Sequence, residues 1–398
     1  MRVLFVTHNV PRHAGDAAGS FILRLATALQ AHGHTVEIVA PGAPGQCGSE
    51  CLEDVTIHRV RYADDADMTL AYTGTMVEQV QRSWRARGAL LGLLAALRRE
   101  TARRVTQAAG TAHPVDIVHV HWWFPAGLAL WRLAALHTVG RVLTMHGSDV
   151  RLGQRSTLTR AIMRAVLRPF AVRTTVSSWL SSRVEVACSG AQAVVAPMPV
   201  DLRHFAPPAP DVHRDGALFV GRLNAQKGLA DLLMAMSRPA LAALTLDVIG
   251  DGPEQAALLA LATSLGVADR IRWHGALPQP ALVPFYQRTR AVVIPSREEG
   301  LGLVAVEAQL CGAPVVAYAS GGLVDVVQPT FGGSLVPPGD LDALAEAVAQ
   351  CVGSEQEADL RGHAGREGML AQFSPEAVAV RYHQLYEKAR DAARQAVA

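Results

Sequence analysis

Short runs of valine, isoleucine, leucine and phenylalanine alternate along this chain with longer segments in which apolar residues recur every three to four positions. The runs read as strands buried on both faces and the longer segments as amphipathic helices, so the alternation predicts parallel α/β layers. In the first half the strand candidates are RVLFVT, HTVEIVAP, DIVHVHW, RVLTMHG and RTTVSS. The pattern restarts with ALFVGR, TLDVIGDG, RIRWHG, AVVIPS and PVVAYA. Between the two series, APMPVDLRHFAPPAP, near residues 197–212, is dense in proline and carries neither period, so it reads as a linker. The expected fold is therefore α/β with two doubly wound, Rossmann-like domains, residues 1–200 and 201–373, facing across a cleft. The remaining segment, 374–398, opens with Ser374, Pro375 and Glu376, a cap, a first-turn proline and a first-turn acid, and continues in helical period. It is expected to form one helix packing back toward the N-terminal domain. Ligands of doubly wound sheets lie beyond the carboxyl ends of the strands, which is where the chemistry should be sought.

Composition narrows the function. A chain of 398 residues with 50% hydrophobic content can bury two cores. Its 37 Lys and Arg against 35 Asp and Glu give no general attraction to nucleic acid. The cysteines, Cys47, Cys51, Cys188, Cys311 and Cys351, are scattered and odd in number, which suits a reducing compartment and offers neither a disulfide framework nor a zinc spacing. MRVLFVT has the apolar run of a strand rather than of a secretory signal, and GALLGLLAAL, Gly88–Leu97, is about half the ~20 residues a spanning helix needs. The expected location is cytoplasmic.

The stretch REEGLGLVAVEAQLCG, Arg297–Gly312, places two glutamates, Glu299 and Glu307, around seven small or apolar residues. It follows one strand candidate and precedes another, so it should be loop, helix and turn, with Leu303, Val306 and Leu310 on the buried face and Gly312 ending the helix. A helix start at bare glycine, Gly302, suits an anion. Glu307 lies roughly 7.5 Å further along the axis, placed to accept bonds from the two hydroxyls of a ribose one unit from a phosphate. Glu299, in the loop, can accept from sugar hydroxyls on the other side. In GRLNAQKG, after the strand ALFV, Arg222 and Lys227 occupy a strand-to-helix turn and can clamp phosphate oxygens from a second direction.

With VIGDGP between these parts, the order GRLNAQKG, VIGDGP and EEGLGLVAVE resembles the retaining glycosyltransferases of family 4, with the two-domain GT-B fold, over nearly the whole chain. The resemblance implies that Arg222 and Lys227 bind the donor diphosphate, that Gly302 and Leu303 offer it backbone N–H groups, that Glu307 holds the ribose and that Glu299 touches the transferred sugar. It also implies His146, in RVLTMHGSD, beside the donor sugar and His121, in DIVHVHWW, as a second site histidine. Ser148 and Asp149 are placed to contact the acceptor or to cap the following segment. Where the family has adjacent glycines in the first loop, this chain has Gly15 and Gly19, either of which can bring backbone to the phosphates.

The resemblance implies transfer of a sugar from a nucleotide-diphosphate donor, UDP- or GDP-linked, to a hydroxyl of a glycan, lipid-linked or small-molecule acceptor, with retention and without a covalent intermediate. No cofactor and no metal are expected. The DxD at Asp65, Ala66 and Asp67 lies in a polar stretch and reads as surface loop. The alternatives are a GT-B epimerase or phosphorylase and a non-catalytic nucleotide-sugar-binding protein; a dehydrogenase lacks its GxGxxG turn. Arg160, Arg164 and Arg168 recur every four residues beside Leu158, Ile162 and Val166, and Arg82, Arg85, Arg87, Arg98 and Arg99 flank GALLGLLAAL. Such basic amphipathic helices suit either solvated faces or a peripheral contact with anionic membrane.

Overall fold

The computed structural model describes residues 1–16, 18–72, 76–209 and 211–397, residue 397 by its backbone alone. The chain forms two compact units, one of Met1–Val200 with Pro375–Ala398, the other of Asp201–Ser374.

The first unit holds an eight-stranded sheet of β1 (Arg2–Val6), β2 (Thr35–Pro41), β3 (Gly48–Leu52), β4 (Val55–Val60), β5 (Ile117–His121), β6 (Gly140–Met145), β7 (Val172–Thr175) and β8 (Val194–Val195), in the order β3-β4-β2-β1-β5-β6-β7-β8. All pairs are parallel except β3 with β4. Its helices are α1 (Ser20–Ala31), α2 (Met76–Arg82), α3 (Trp84–Ala109), α4 (Ser148–Gln154), α5 (Thr157–Leu167) and α6 (Ser178–Ala187). The second unit holds β9 (Asp215–Val220), β10 (Leu246–Ile249), β11 (Ile271–Trp273), β12 (Thr289–Ile294), β13 (Val315–Tyr318) and β14 (Ser334–Val336), all parallel, in the order β11-β10-β9-β12-β13-β14. Its helices are α7 (Leu229–Met236), α8 (Gln255–Ser264), α9 (Gln279–Arg288), α10 (Leu303–Leu310), α11 (Leu323–Val326), α12 (Leu341–Gly353) and α13 (Glu355–Phe373).

All ten strand candidates are strands. The hairpin β3–β4 escapes the hydrophobic pattern because GSECL and VTIHRV mix acids, bases and apolar residues. Its turn residues are Glu53 and Asp54, both at positive φ (48° and 62°), where asparagine and glycine are the usual signals.

The terminal helix α14 (Pro375–Val397) belongs to the first unit. The alternation of side chains along β6 shows how that sheet is covered on both faces. Thr144 points to α14, where Tyr382 and Tyr386 are fully buried, while Leu143 points to Gly127, beside which Val166 of α5 also lies. In the second unit Phe219, Val248, Val293 and Val316 pack with Leu232 and Leu233 of α7 and with Leu344 and Val348 of α12. In each sheet the chain winds outward from one central strand and then restarts beside it, at β1/β5 and at β9/β12. These are the topological switch points where doubly wound folds leave a crevice for ligands.

Candidate active site

In the second unit the switch point brings together the two loops that the sequence singles out. The turn 221–228 follows β9 and the loop 295–302 follows β12, its neighbour in the sheet. They are stitched by Arg297 N–H donating to the Gln226 carbonyl (2.7 Å) and by Gln226 Nε2 donating to the Glu298 carbonyl (3.2 Å). Gly228, at φ 70°, lies against the Pro295 carbonyl so closely that a Cβ there would sit 2.0 Å from its oxygen. VIGDGP supports the same turn from behind: a Cβ on Gly250 would sit 1.9 Å from the Gly221 carbonyl oxygen, and Leu223 N–H donates to the Asp251 carbonyl (2.7 Å). Only glycine allows backbone to approach backbone this closely.

Arg222 is exposed, and among the described residues its guanidinium has no acid or acceptor. Lys227 pairs with Glu299 across the two loops. The ammonium has three donors and the carboxylate four lone-pair positions, so the pair leaves each group further bonding capacity. Gly302, at φ 91°, precedes α10, and its carbonyl accepts from Ala305 N–H (2.9 Å) and Val306 N–H (3.3 Å). The N–H groups of Leu303 and Val304 belong to the first turn, which has no acceptor of its own within the helix.

Two expectations about α10 need correction or addition. Leu303 is not on the buried face: it is 53% exposed, because the first helical residue points away from the sheet, whereas Val306 and Leu310 are fully buried. Glu307, only 6% exposed, already accepts from Gln279 Nε2 (2.5 Å) and from the Tyr286 hydroxyl (3.0 Å), both on α9. Burial first, then the adjacent Glu307 charge, hold the Tyr286 hydroxyl well above its ordinary pKa, so it stays a donor.

In the first unit β5 and β6 are neighbours, and both histidines lie where their strands end. His121 is fully buried and its Nδ1 is 3.1 Å from Nε2 of His146. His8, which follows β1, was not singled out by the sequence reading. Its ring meets Trp122 at 4.4 Å, and Trp122 in turn meets His146 at 4.3 Å. The missed signal is the one that marks the other two, a histidine just past a strand's carboxyl end, in VTHN. Desolvation holds all three neutral: His8 falls to about 4, His146 to about 3, and His121 well below its ordinary value.

Ser148 is exposed, whereas Asp149 is buried and turned inward. The Asp149 carboxylate accepts from the backbone N–H groups of Trp123, His146 and Gly147, each at 3.1 Å, so it caps the turn that carries His146. Burial raises its pKa to about 6 against those bonds. A cavity of about 530 Å³ opens beside these residues, lined by His8, Trp122, Ser148 and Asp149 together with Arg151 of α4 and Arg155, which follows it.

The two first-loop glycines differ. Gly19 is packed, since a Cβ there would sit 2.7 Å from Asn9 backbone, and it caps α1; Gly15 faces open space. Ala17, between them, lies outside the described residues. Asp65 and Asp67 form a short 3-10 turn in which Asp65 pairs with Arg61 (2.7 Å), and among the described residues no group of three His, Cys, Asp or Glu is placed to hold a metal. Arg87 donates to the Val80 and Gln81 carbonyls and Arg98 to those of Ala129, Trp131 and Arg132, so these two arginines are engaged within the unit. No described helix is long and apolar enough to cross a membrane.

Comparison with known proteins agrees with this layout. Residues 203–368 match the family model described as glycosyl transferases group 1, and residues 18–204 match glycosyltransferase family 4. The chain belongs to this family of glycosyltransferases. Glycogen synthase of Mycobacterium tuberculosis (strain CDC 1551 / Oshkosh) is 28% identical over 438 residues, spanning 99% of this chain and 96% of that protein. Among solved structures, sucrose-phosphate synthase from Thermosynechococcus elongatus aligns with a TM-score of 0.73 at 24% identity, over 98% of this chain and 99% of that one. HepE of Anabaena, solved in complex with UDP, aligns with a TM-score of 0.66 at 18% identity, over 97% and 100%. At these identities the structural likeness speaks to the fold, which is GT-B.

Proposed function

We propose that this glycosyltransferase moves a sugar from a nucleotide-diphosphate donor to an acceptor hydroxyl with retention of configuration and without a metal. The observation that carries the reading is the joining of the Arg222–Lys227 turn to the Glu299–Gly302 loop at the β9/β12 switch point. Breaking the bond from an anomeric carbon to a diphosphate leaves negative charge on the phosphates. The Arg222 guanidinium, unpaired among the described residues, the Lys227 ammonium and the first-turn N–H groups at Leu303 are donors of the kind that charge requires. Lys227 turns from Glu299 toward phosphate as the donor binds, and Glu299 then accepts from the sugar hydroxyls. Glu307, held by Gln279 and Tyr286, is the carboxylate this reading assigns to the ribose hydroxyls.

Retention follows from attack on the face the diphosphate leaves, with a phosphate oxygen taking the acceptor proton; neither glutamate is spent as a nucleophile. This reading assigns His146, neutral and beside His121, to the transferred sugar, and Ser148, at the rim of the unit-one cavity, to the acceptor. UDP and GDP are the donor nucleotides of this reading. HepE, a relative in fold, was solved with UDP, which supports a nucleoside diphosphate in the second unit. The acceptor is a glycan, lipid-linked or small-molecule hydroxyl, and the exposed arginines of α5 favour work at an anionic membrane surface.

Incubating the chain with UDP- and GDP-sugars and a panel of hydroxyl acceptors, then reading the anomeric signal of the product by proton NMR, tests this. The reading expects a product with the donor's anomeric configuration, and an inverted product overturns it.

A further inference from the structure

From Trp123 to Val176 the chain carries eight arginines and no lysine, and its one acid is Asp149, which is buried and engaged by backbone N–H groups. In a protein with a net charge of only +2 this is a strong local excess. Arg151 and Arg155 belong to the cavity beside His146. Three of the others, Arg132, Arg141 and Arg168, line a different cavity of about 780 Å³, formed by the segment 130–141 and the end of α5. It lies at the amino end of β6, since Arg141 precedes His146 by five residues, roughly 16 Å along an extended strand.

The walls of this cavity are built for a ligand that is part apolar and part anionic. Trp131, Leu133 and Phe170 supply apolar surface, and His137 adds a further nitrogen base. Arg141 is half-buried, and among the described residues neither it nor Arg132 nor Arg168 has an acid partner or a hydrogen-bond acceptor for its guanidinium. Burial works against the Arg141 charge, and no acid among the described residues pairs with it. The one acid of α3, Glu100, is already shared by Arg103 and Arg104. The rim is also held in a conformation its residue disfavours: Arg132 has φ 53°, and Arg98 fixes the segment by donating to the carbonyls of Ala129, Trp131 and Arg132.

We propose that this cavity is a second binding site, for a phosphate group carried by a partly apolar molecule, with Arg132, Arg141 and Arg168 on the phosphate oxygens. Guanidinium forks match phosphate geometry and bind it in pairs of bonds. The phosphate comes either from the headgroup of a membrane lipid, approached along the exposed Arg160–Arg164–Arg168 row of α5, or from a soluble phosphorylated compound.

The test uses the full chain with two probes: glycerol phosphate in calorimetric titration, and co-sedimentation with phosphatidylcholine vesicles with and without phosphatidylglycerol. Arg132→Gln with Arg168→Gln removes two exposed members of the site while leaving the half-buried Arg141 and the fold in place. Arg103→Gln, which removes a solvated arginine elsewhere on the unit, is the control for bulk charge. Binding to either probe, lowered about tenfold or more by the double variant and unchanged by the control, supports the site. Glycerol phosphate alone then identifies a soluble source, and the anionic vesicles alone identify a headgroup. Binding to neither probe, or equal binding by wild type and double variant, or equal loss in the control, overturns it. Sugar-transfer activity does not enter these readouts, so the outcome is independent of the reading of the donor site.

Discussion

Replacing Gly228 by alanine separates the two loops of the proposed donor site, and its cost can be worked from the structure. The residue sits at φ 70°, where an L side chain costs roughly 1–2 kcal/mol. The new Cβ would lie 2.0 Å from the Pro295 carbonyl oxygen, while real contacts of this kind do not fall below 3.0 Å, so one loop must move by at least 1.0 Å (3.0 − 2.0). Pro295 cannot retreat easily, because Ile294 before it is paired with Ala317 in β13. The 221–228 turn therefore moves and strains the Arg297–Gln226 bond, worth about 1 kcal/mol. Together these give a loss of about 2–3 kcal/mol of stability. A shift of that size in Arg222 and Lys227 lowers turnover by a factor on the order of a hundred. Gly266 is the control within the same unit: its φ is 66°, but an added Cβ meets nothing within 4 Å, so Gly266→Ala carries the backbone strain alone. Urea unfolding followed by circular dichroism, with donor turnover on both variants, checks the difference. If Gly228→Ala and Gly266→Ala prove alike in midpoint and turnover, the packed junction of the two loops does not govern the site.

Glu307→Gln keeps the side chain's size but points an amide N–H at either Gln279 or the Tyr286 hydroxyl, so it should cost about 1–3 kcal/mol in stability and weaken donor binding more than it slows turnover; denaturation and donor titration on one sample read both. The pH dependence follows from the histidines of the first unit. His8 and His34 fall to about 4 through burial and His146 to about 3, while unfolded histidines titrate near 6.5, so below 6.5 the unfolded chain takes up more protons than the folded one. Asp149, raised to about 6 from 3.8, works in the opposite sense: its contribution is fully present below 3.8 and is lost as pH rises through 6. The histidines outnumber it, so the melting temperature should drop between pH 6.5 and pH 4, and a flat profile would count against the neutral cluster. Turnover should persist in EDTA; loss restored by manganese would show that the basic side chains do not carry the diphosphate charge alone.

Much of the fold was legible because parallel strands buried on both faces leave unbroken apolar runs, as in RVLFVT and AVVIPS. The break between units was legible for the opposite reason, a proline-rich stretch with no period. The edge hairpin was not, since an edge strand such as GSECL alternates its exposure and its turn uses left-handed Glu53 and Asp54. At the site, residue types could be read but pairings could not. Lys227 and Glu299 are 72 positions apart, and only the adjacency of β9 and β12 brings them into contact. Gln279 and Tyr286 carry no motif at all; they matter because α9 packs beside α10 and presents two donors to a buried carboxylate. Asp149 could be read equally as cap or contact from its spacing, and its three backbone N–H bonds show it as a cap. His8 shares the strand-end signal of His121 and His146, but only the adjacency of β1 and β5 brings it to Trp122 and so to the other two.

The most direct test of the donor-site account is calorimetric titration of UDP and GDP into the full chain and into its Arg222→Ala variant. Arg222 is exposed and unpaired among the described residues, so its removal should leave the fold intact. The account predicts that at least one of the two nucleotides binds the wild-type chain, and that the variant binds it about ten- to a hundredfold more weakly, the loss of about 1.4–2.8 kcal/mol expected for one charge-assisted contact to phosphate. Binding of neither nucleotide, or equal affinity in the two proteins, would contradict it.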